Sequence, residues 1–174
     1  MDESAATTRW PDELYELLRR HRVTQFAYVP DAGHRLLIDR SLADPEVRSV
    51  ALTSEEEGVA LLAGADLGGA RGVLLMQSSG AGNCINMLSL IKGGQFPFLA
   101  LVSMRGDFGE GNPWQYPMGQ AVEPVLAAMG VIVLRVEHPE EVVPTVDAAL
   151  TTVFQAGRAV AVLLTQKLLG AKQF

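Results

Sequence analysis

Residues 72–83 read "GVLLMQSSGAGN", a short apolar run that passes directly into small polar residues and glycines. Three later runs have the same uniformly apolar character: "FLALV", "VIVL" and "VAVLL". Strands that are apolar throughout, rather than alternating, are typical of parallel sheets covered on both faces. Helical segments separate these runs. The sequence therefore predicts an α/β fold, a doubly wound parallel sheet of about six strands with helices on both faces.

The length of 174 residues suits one domain, and the sequence shows no internal repeat or low-complexity segment. We expect residues 1–174 to form a single domain whose polar residues 1–9 are flexible. In such a sheet, functional loops follow the carboxyl ends of the strands. The loops predicted at that edge are "VPDAGH" (29–34), "TSEEEG" (53–58), "QSSGAGN" (77–83) and "SMRGDFGEGNPWQYPMG" (103–119).

The composition excludes several classes of function. The formal net charge is −6 and the one basic cluster is Arg19, Arg20 and Arg22, so nucleic-acid binding is not expected. No apolar run approaches the ~20 residues that a membrane-spanning helix needs. Cys84 is the single cysteine, which excludes an intrachain disulfide. We therefore expect a cytoplasmic protein that binds neither membrane nor nucleic acid.

Three consecutive acids, Glu55, Glu56 and Glu57, precede Gly58 at the start of an apolar helix. The simplest interpretation is stabilisation of the helix N-terminus by its dipole, worth a few tenths to ~1 kcal/mol. That interpretation explains neither three acids nor a helical glycine that costs ~1 kcal/mol relative to alanine. Helical spacing places Glu55 on the face of Gly58 and of apolar residues. We predict that Glu55 is partly buried, beside a group that approaches Gly58 closely.

The other loops carry polar side chains with alternative interpretations. "SSGAGN" is either a tight turn or a loop whose bare backbone admits a flat ligand, with Ser79 and Asn83 as hydrogen-bonding groups. Asp31 and His34 are predicted at the same edge, where they are either functional residues or parts of a simple turn after the strand. Arg105 is either a solvated surface residue or a bidentate binder of an anion. The sequence has no metal-ligand spacing, no P-loop and no GxSxG serine motif.

Four motifs, in order, carry a family resemblance: "EEEGVALLAG", "MQSSGAGNCINMLSL", "PFLALVSMRGD" and "YPMGQ". Together they resemble the pyrimidine-binding domain of thiamine diphosphate-dependent decarboxylases. The likeness is greatest to the alpha subunits of sulfopyruvate decarboxylases, and next to phosphonopyruvate decarboxylases. It extends from about Trp10 to Thr165. Tyr116 stands where the phosphonate enzymes typically have histidine, so the resemblance favours the sulfonate relatives.

The resemblance implies a role for each candidate residue. Glu55 would contact N1′ of the cofactor's aminopyrimidine and so promote removal of the proton from C2 of the thiazolium. Gly58 would be the small residue that accompanies this glutamate. The remaining cofactor-binding candidates are Pro30, Asp31, Ser79, Gly80, Gly82 and Asn83. Apart from the resemblance, the substrate-binding candidates are His34, Arg105 and Gln115, of which Arg105 or His34 would bind the distal anion.

One motif of the resembling family is absent from this chain. Family members hold the diphosphate through a divalent metal, with a "GDG" stretch and a later asparagine. This chain has only "GDF" at residues 106–108. The resemblance therefore implies that this chain has no metal ligands and that a beta subunit supplies those for Mg²⁺. The cofactor would bridge the two subunits of a hetero-oligomer.

Three functions remain open at this point. The preferred one is the alpha subunit of a thiamine diphosphate-dependent 2-oxo acid decarboxylase, which converts an anionic pyruvate such as 3-sulfopyruvate to an aldehyde and CO₂. A carboligase subunit, which would transfer the same activated fragment to a second carbonyl and make an acyloin, would use the same residues. The third is a non-catalytic domain that scaffolds or regulates a partner, and the combination of Glu55 with Gly58 argues against it.

Overall fold

The computed structural model describes residues 10–171, so residues 1–9, for which we predict flexibility, lie outside the described residues. The described chain contains six strands: β1 (Val23–Tyr28), β2 (Arg48–Ala51), β3 (Arg71–Gln77), β4 (Phe98–Ser103), β5 (Ile132–Val136) and β6 (Ala159–Leu164). It contains eight α-helices: α1 (Trp10–Arg20), α2 (Arg35–Ala43), α3 (Glu55–Leu67), α4 (Ser78–Cys84), α5 (Leu88–Gly94), α6 (Tyr116–Ala128), α7 (Pro139–Phe154) and α8 (Gln166–Leu169). Two 3₁₀ turns occupy Ala32–His34 and Pro113–Gln115.

The strands form one sheet in the order β2-β1-β3-β4-β6-β5, and every neighbouring pair is parallel. Residues of α1, α2 and α7 enter the core on one face of the sheet, and residues of α3 to α6 enter the core on the other. The predicted doubly wound α/β architecture is therefore confirmed.

The central strands are apolar throughout because each contributes to two cores. In β3, Val73 and Leu75 belong to the core under α1 and α7, whereas Leu74 and Met76 belong to the core under α3. Successive side chains of a strand point to opposite faces, so a sheet covered on both sides needs apolar residues at every position. The edge strands β2 and β5 are correspondingly only partly buried.

Two segments at the carboxyl edge differ from the predicted loops. The "SSGAGN" segment is helical, and α4 begins at Ser78 directly after β3. Ser78 Oγ accepts a hydrogen bond from the Arg105 backbone N–H at 3.0 Å, which ties the start of α4 to the end of β4. The long loop is shorter than predicted, because α6 begins at Tyr116. The four-residue α8 was not predicted, since one helical turn has no periodicity to detect.

Candidate active site

Glu55 is the first residue of α3 and is buried. Ser54 before it has extended backbone angles (φ −147°, ψ 152°), so the helix begins at Glu55 itself. Only 7% of Glu55 is exposed, although it lies in the first helical turn. Val59 and Leu62, on the same helical face, are buried as well. The burial predicted from the helical face is therefore confirmed.

The two acids after Glu55 have local partners at the helix start. Glu57 is exposed and accepts a hydrogen bond from the Thr53 backbone N–H at 3.0 Å. Glu56 accepts one from the Ser54 hydroxyl. Acids at these positions also interact favourably with the helix dipole. Two of the three acids thus complete the helix N-terminus, and the third faces inward.

Helix α4 packs over Glu55 at a glycine. A Cβ atom at Gly80 would collide with the Glu55 carboxyl, so the bare backbone of glycine is what makes room for the acid. The Asn83 side chain, one helical turn later, donates from Nδ2 to Glu55 Oε2 at 2.8 Å. Asn83, assigned to the cofactor from the sequence, is thus engaged with Glu55.

Gly58 packs against the sheet, and its assignment to the cofactor stays a prediction. A Cβ atom there would lie 2.5 Å from Leu74 Cδ1 and 2.9 Å from Leu52 Cδ1. The absent side chain lets α3 approach β3, so the closely approaching group predicted from the sequence is the protein's own core. Gly82, also assigned to the cofactor, faces α6 instead, because a Cβ atom there would lie 2.9 Å from Met118 Sδ.

Asp31 is anchored at the end of β1 by three hydrogen bonds. Its Oδ2 accepts from the Gly33 N–H at 2.9 Å and from Ser103 Oγ at 2.6 Å, and Oδ1 accepts from Gln77 Nε2 at 3.1 Å. Burial acts to raise the pKa of Asp31, but the hydrogen bonds from Ser103, Gln77 and Gly33, together with nearby His34, hold the pKa below its ordinary value. Asp31 therefore connects the ends of β1, β3 and β4 as a carboxylate. Pro30 beside it is exposed.

His34 is buried within the chain, and its assignment to the substrate stays a prediction. The residue is 1% exposed, its Nε2 donates to the Met76 carbonyl at 3.2 Å, and Nδ1 has no partner. Burial lowers the pKa of the imidazole, against the opposing effect of nearby Asp31. The turn at Ala32–His34 directs this side chain inward.

Arg105 is paired within the chain, and its assignment to the substrate's anion stays a prediction. Its Nη2 donates to Glu110 Oε1 at 2.7 Å, and its Nε donates to Oε2. This hydrogen-bonded pair lowers the pKa of Glu110 to about 2. Glu110 also accepts from Gln166 Nε2 at 3.0 Å. The sequence did not identify Glu110 as the partner of Arg105. The one signal in the sequence was an acid five residues after an arginine in a glycine-rich loop.

Two candidates remain at the surface of this edge. Ser79 is exposed, and its Oγ donates to Gln77 Oε1 at 3.0 Å. Gln115 is half-buried in the second 3₁₀ turn, where its backbone carbonyl packs against Gly106. Ligand contact by Ser79 and Gln115 stays a prediction.

A small cavity of about 170 Å³ opens where the segments after β1, β4 and β6 meet. Its polar lining consists of Asp31, Ser103, Arg105 and Gln166. The carboxyl edge of the sheet therefore carries two features, the Glu55 carboxyl beneath α4 and this polar cavity beside Asp31.

Comparison with known proteins gives the family. The chain is 33% identical over 151 residues to sulfopyruvate decarboxylase subunit alpha of Methanocaldococcus jannaschii, an alignment that covers 86% of this chain and 89% of that protein. This chain belongs to the sulfopyruvate decarboxylase alpha-subunit family. The resemblance identified from the motifs is therefore confirmed.

A longer relative aligns with nearly the whole of this chain. Sulfopyruvate decarboxylase of Methanosarcina acetivorans is 30% identical over 164 residues, which cover 93% of this chain but 41% of that protein. This chain thus corresponds to about two-fifths of that longer one. No protein-family model matches the sequence.

Among solved structures, the fold of this family member resembles a larger enzyme. 2-Oxoglutarate:ferredoxin oxidoreductase from Magnetococcus marinus, with 2-oxoglutarate, coenzyme A and succinyl-CoA bound, matches with a TM-score of 0.74 at 18% identity. The match covers 91% of this chain and 29% of that chain. At this identity the likeness concerns the α/β fold.

Residues 10–171 contain no group of three or more His, Cys, Asp or Glu side chains arranged to hold a metal ion. Over the same residues, no helix combines the length and the apolarity that crossing a bilayer requires.

Proposed function

We propose that this chain is the pyrimidine-binding alpha subunit of a thiamine diphosphate-dependent 2-oxo acid decarboxylase. Its substrate would be an anionic pyruvate, 3-sulfopyruvate, and its products an aldehyde and CO₂. The observation that carries the proposal is the Glu55 carboxyl, 7% exposed at the carboxyl edge of the sheet in a member of this family. Burying a carboxyl at that edge costs free energy unless hydrogen-bond partners compensate it, which is the reason to look for a ligand that bonds it.

The surroundings of Glu55 fit the aminopyrimidine end of thiamine diphosphate. That ring is flat and carries a nitrogen that can share a proton with a carboxyl. Gly80 leaves backbone without a side chain beside the acid. Within residues 10–171, only Asn83 donates to the carboxyl, and it donates to Oε2. Oε1 is therefore an unused acceptor for a group that the chain itself does not supply.

Glu55 has a defined part in the proposed reaction. Thiamine diphosphate, when bound, supplies the electron sink for cleavage of the carbon–carbon bond of a 2-oxo acid. Glu55 would hold and move a proton at the ring nitrogen. Its burial strengthens that hydrogen bond, because the surrounding dielectric is low.

The chain does not fit the diphosphate and metal end of the same cofactor. It carries "GDF" rather than "GDG", and Mg²⁺ requires oxygen ligands from carboxylates, phosphates or water. We infer that a beta subunit holds Mg²⁺ and the diphosphate, and that the two chains form a hetero-oligomer. The longer methanosarcinal relative supports this division, since this chain corresponds to only part of its length.

Substitution of Glu55 tests the proposed function. In the complex reconstituted with its beta subunit, Mg²⁺ and thiamine diphosphate, Glu55→Gln should lower the rate of CO₂ release from 3-sulfopyruvate by about 10²- to 10⁴-fold, the usual contribution of a general acid–base group. Glu57→Gln, in the same helical turn but exposed, is the matched control and should retain wild-type turnover. An unchanged rate in Glu55→Gln would remove the basis of the proposal.

Two further measurements define the partner and the product. By calorimetry, the isolated chain should bind thiamine diphosphate weakly or not detectably, and the complex should bind it only with Mg²⁺. Tight binding by the isolated chain would contradict the division of the site. Product analysis with and without an added aldehyde separates decarboxylation from acyloin formation.

A further inference from the structure

The Glu55 carboxyl is held at one of its two oxygens. Asn83 Nδ2 donates to Oε2 at 2.8 Å, and within residues 10–171 no other donor reaches either oxygen. In that same range, two fully buried side-chain N or O atoms lack a partner, His34 Nδ1 and Ser49 Oγ. Glu55 Oε1 is not among these buried atoms. Oε1 of Glu55 is therefore unbonded but not sealed from solvent. The fold thus distinguishes the two oxygens of one carboxyl.

Two residues of α4 create this distinction. The backbone at Gly80 lies against Cγ, Cδ and Oε1 of Glu55, where an added Cβ atom would collide with all three. Asn83 approaches from the solvent side and is itself exposed. An exposed amide contributes little to packing, so the main contact of Asn83 that the fold provides is its hydrogen bond to Glu55.

The chemistry of an amide donor determines where a proton on Glu55 would lie. An amide N–H can only donate, so Oε2 acts as an acceptor whether the carboxyl is ionised or protonated. The carbonyl oxygen of a protonated carboxyl is a better acceptor than its hydroxyl oxygen, so the Asn83 donor at Oε2 favours a proton on Oε1. A single donor at Oε2 therefore makes Oε1 the oxygen that exchanges a proton with a ligand.

We propose that Asn83 is a positioning residue, whose amide reserves Oε2 and directs Oε1 to the ring nitrogen of the cofactor. The inference rests on the proposed function and replaces the assignment of Asn83 to direct cofactor contact. Asn83 acts through Glu55, since its exposed side chain is not part of the core.

The first test uses the full-length chain without cofactor. The infrared difference between wild type and Glu55→Gln isolates the carboxyl bands of Glu55. Asn83→Ala should shift these bands, because Oε2 loses its N–H donor. The matched control is Asn86→Ala, since Asn86 is exposed three residues further along and should leave the bands unchanged. The thermal midpoints check that both alanine variants fold, and that of Asn83→Ala should fall below that of Asn86→Ala because the buried Glu55 carboxyl loses the Asn83 donor.

The second test uses the complex with the beta subunit, Mg²⁺ and thiamine diphosphate. Asn83→Ala should lower kcat for 3-sulfopyruvate about tenfold, as loss of one charge-assisted hydrogen bond predicts, with little change in KM. Asn83→Gln keeps the amide on a longer side chain at an exposed position, so it should recover part of the rate. Asn86→Ala should match wild type.

The outcomes separate this inference from the proposed function. If Glu55→Gln abolishes turnover while Asn83→Ala matches Asn86→Ala in both the infrared bands and kcat, the positioning role is overturned and the proposed function stands. If Glu55→Gln retains turnover, both are overturned, because a positioning residue needs a catalytic group to position.

Discussion

Glu55 and Glu57 lie two residues apart in one helical turn, yet they have opposite environments. Glu57 is exposed and hydrogen-bonds the backbone before the helix, whereas Glu55 is 7% exposed and points under α4. Burial of a carboxyl is unfavourable unless a donor compensates it, and Asn83 provides that donor. At the scale of single residues, the site therefore depends on one donor and on the absent side chain of Gly80.

Gly80→Ala tests the requirement for that absent side chain. The new Cβ atom would occupy the position of the Glu55 carboxyl, so Glu55 must move or α4 must shift. We expect turnover of the complex to fall by about 100-fold, the usual effect of misplacing a reacting group by an ångström. The assay is CO₂ release, with the thermal midpoint as a check on folding.

Gly64→Ala is the matched control for this variant. Gly64 also lies in a helix, but a Cβ atom there would meet nothing within 4 Å. It should keep wild-type turnover and gain up to ~1 kcal/mol of stability from better helix propensity. Equal turnover in Gly80→Ala and Gly64→Ala would show that the position of Glu55 does not depend on Gly80.

The segment between β4 and α6 is organised around one buried acid. The Glu110 side chain is fully buried and accepts hydrogen bonds from Arg105, from the Asn112 N–H at 2.9 Å and from Gln166. Gln166 begins α8, so these contacts connect the loop to the end of β6. At the scale of elements, Glu110 hydrogen-bonds Arg105 and Gln166, two residues that line the polar cavity beside Asp31.

Glu110 should give the protein an acid-sensitive component of stability. Its pKa is lowered from 4.5 to about 2, first by the hydrogen bond from Arg105. A carboxyl with a depressed pKa contributes stability that is complete above its ordinary pKa and is lost as pH falls through the folded value. In urea unfolding, the Glu110 contribution should therefore disappear between pH 4.5 and about 2.

Glu110→Gln removes that component. The variant should be about 1–3 kcal/mol less stable near neutral pH, and its free energy of unfolding should vary less with pH across the same acid window. Glu123→Gln is the control, since Glu123 pairs with Arg135 at 3.3 Å on the surface, where ion pairs contribute little. Identical pH slopes in wild type and Glu110→Gln would exclude the buried pair as the cause.

Across the whole molecule, the sheet places the polar carboxyl edge next to an exposed apolar surface. Trp114 is 84% exposed, and with Pro113, Pro117 and Met118 it lines a concave region of about 600 Å³. Met118 also packs against Gly82 of α4, so this surface is continuous with the helix that covers Glu55. We propose that the beta subunit covers both, because exposed tryptophan in an apolar concavity is typical of interfaces.

Trp114→Ala should weaken assembly without affecting the isolated chain. Loss of a central aromatic contact costs 2 kcal/mol or more, so we expect about a 30-fold higher Kd for the beta subunit. The thermal midpoint of the chain alone should not change. Leu67→Ala is the control, since Leu67 is 78% exposed at the far end of α3. Equal affinities for the two variants would place the interface elsewhere.

The sequence by itself determined the architecture and the central acid. Uniformly apolar strands alternating with helices are a local pattern that only a sheet covered on both faces satisfies, and helical spacing alone predicted the burial of Glu55. The tertiary structure alone decided the partners. Glu55 meets Asn83 across 28 residues, His34 turns inward, and Arg105 pairs with Glu110. Such contacts depend on how segments that are distant in the sequence pack together. The residue pattern within one segment does not predict that packing.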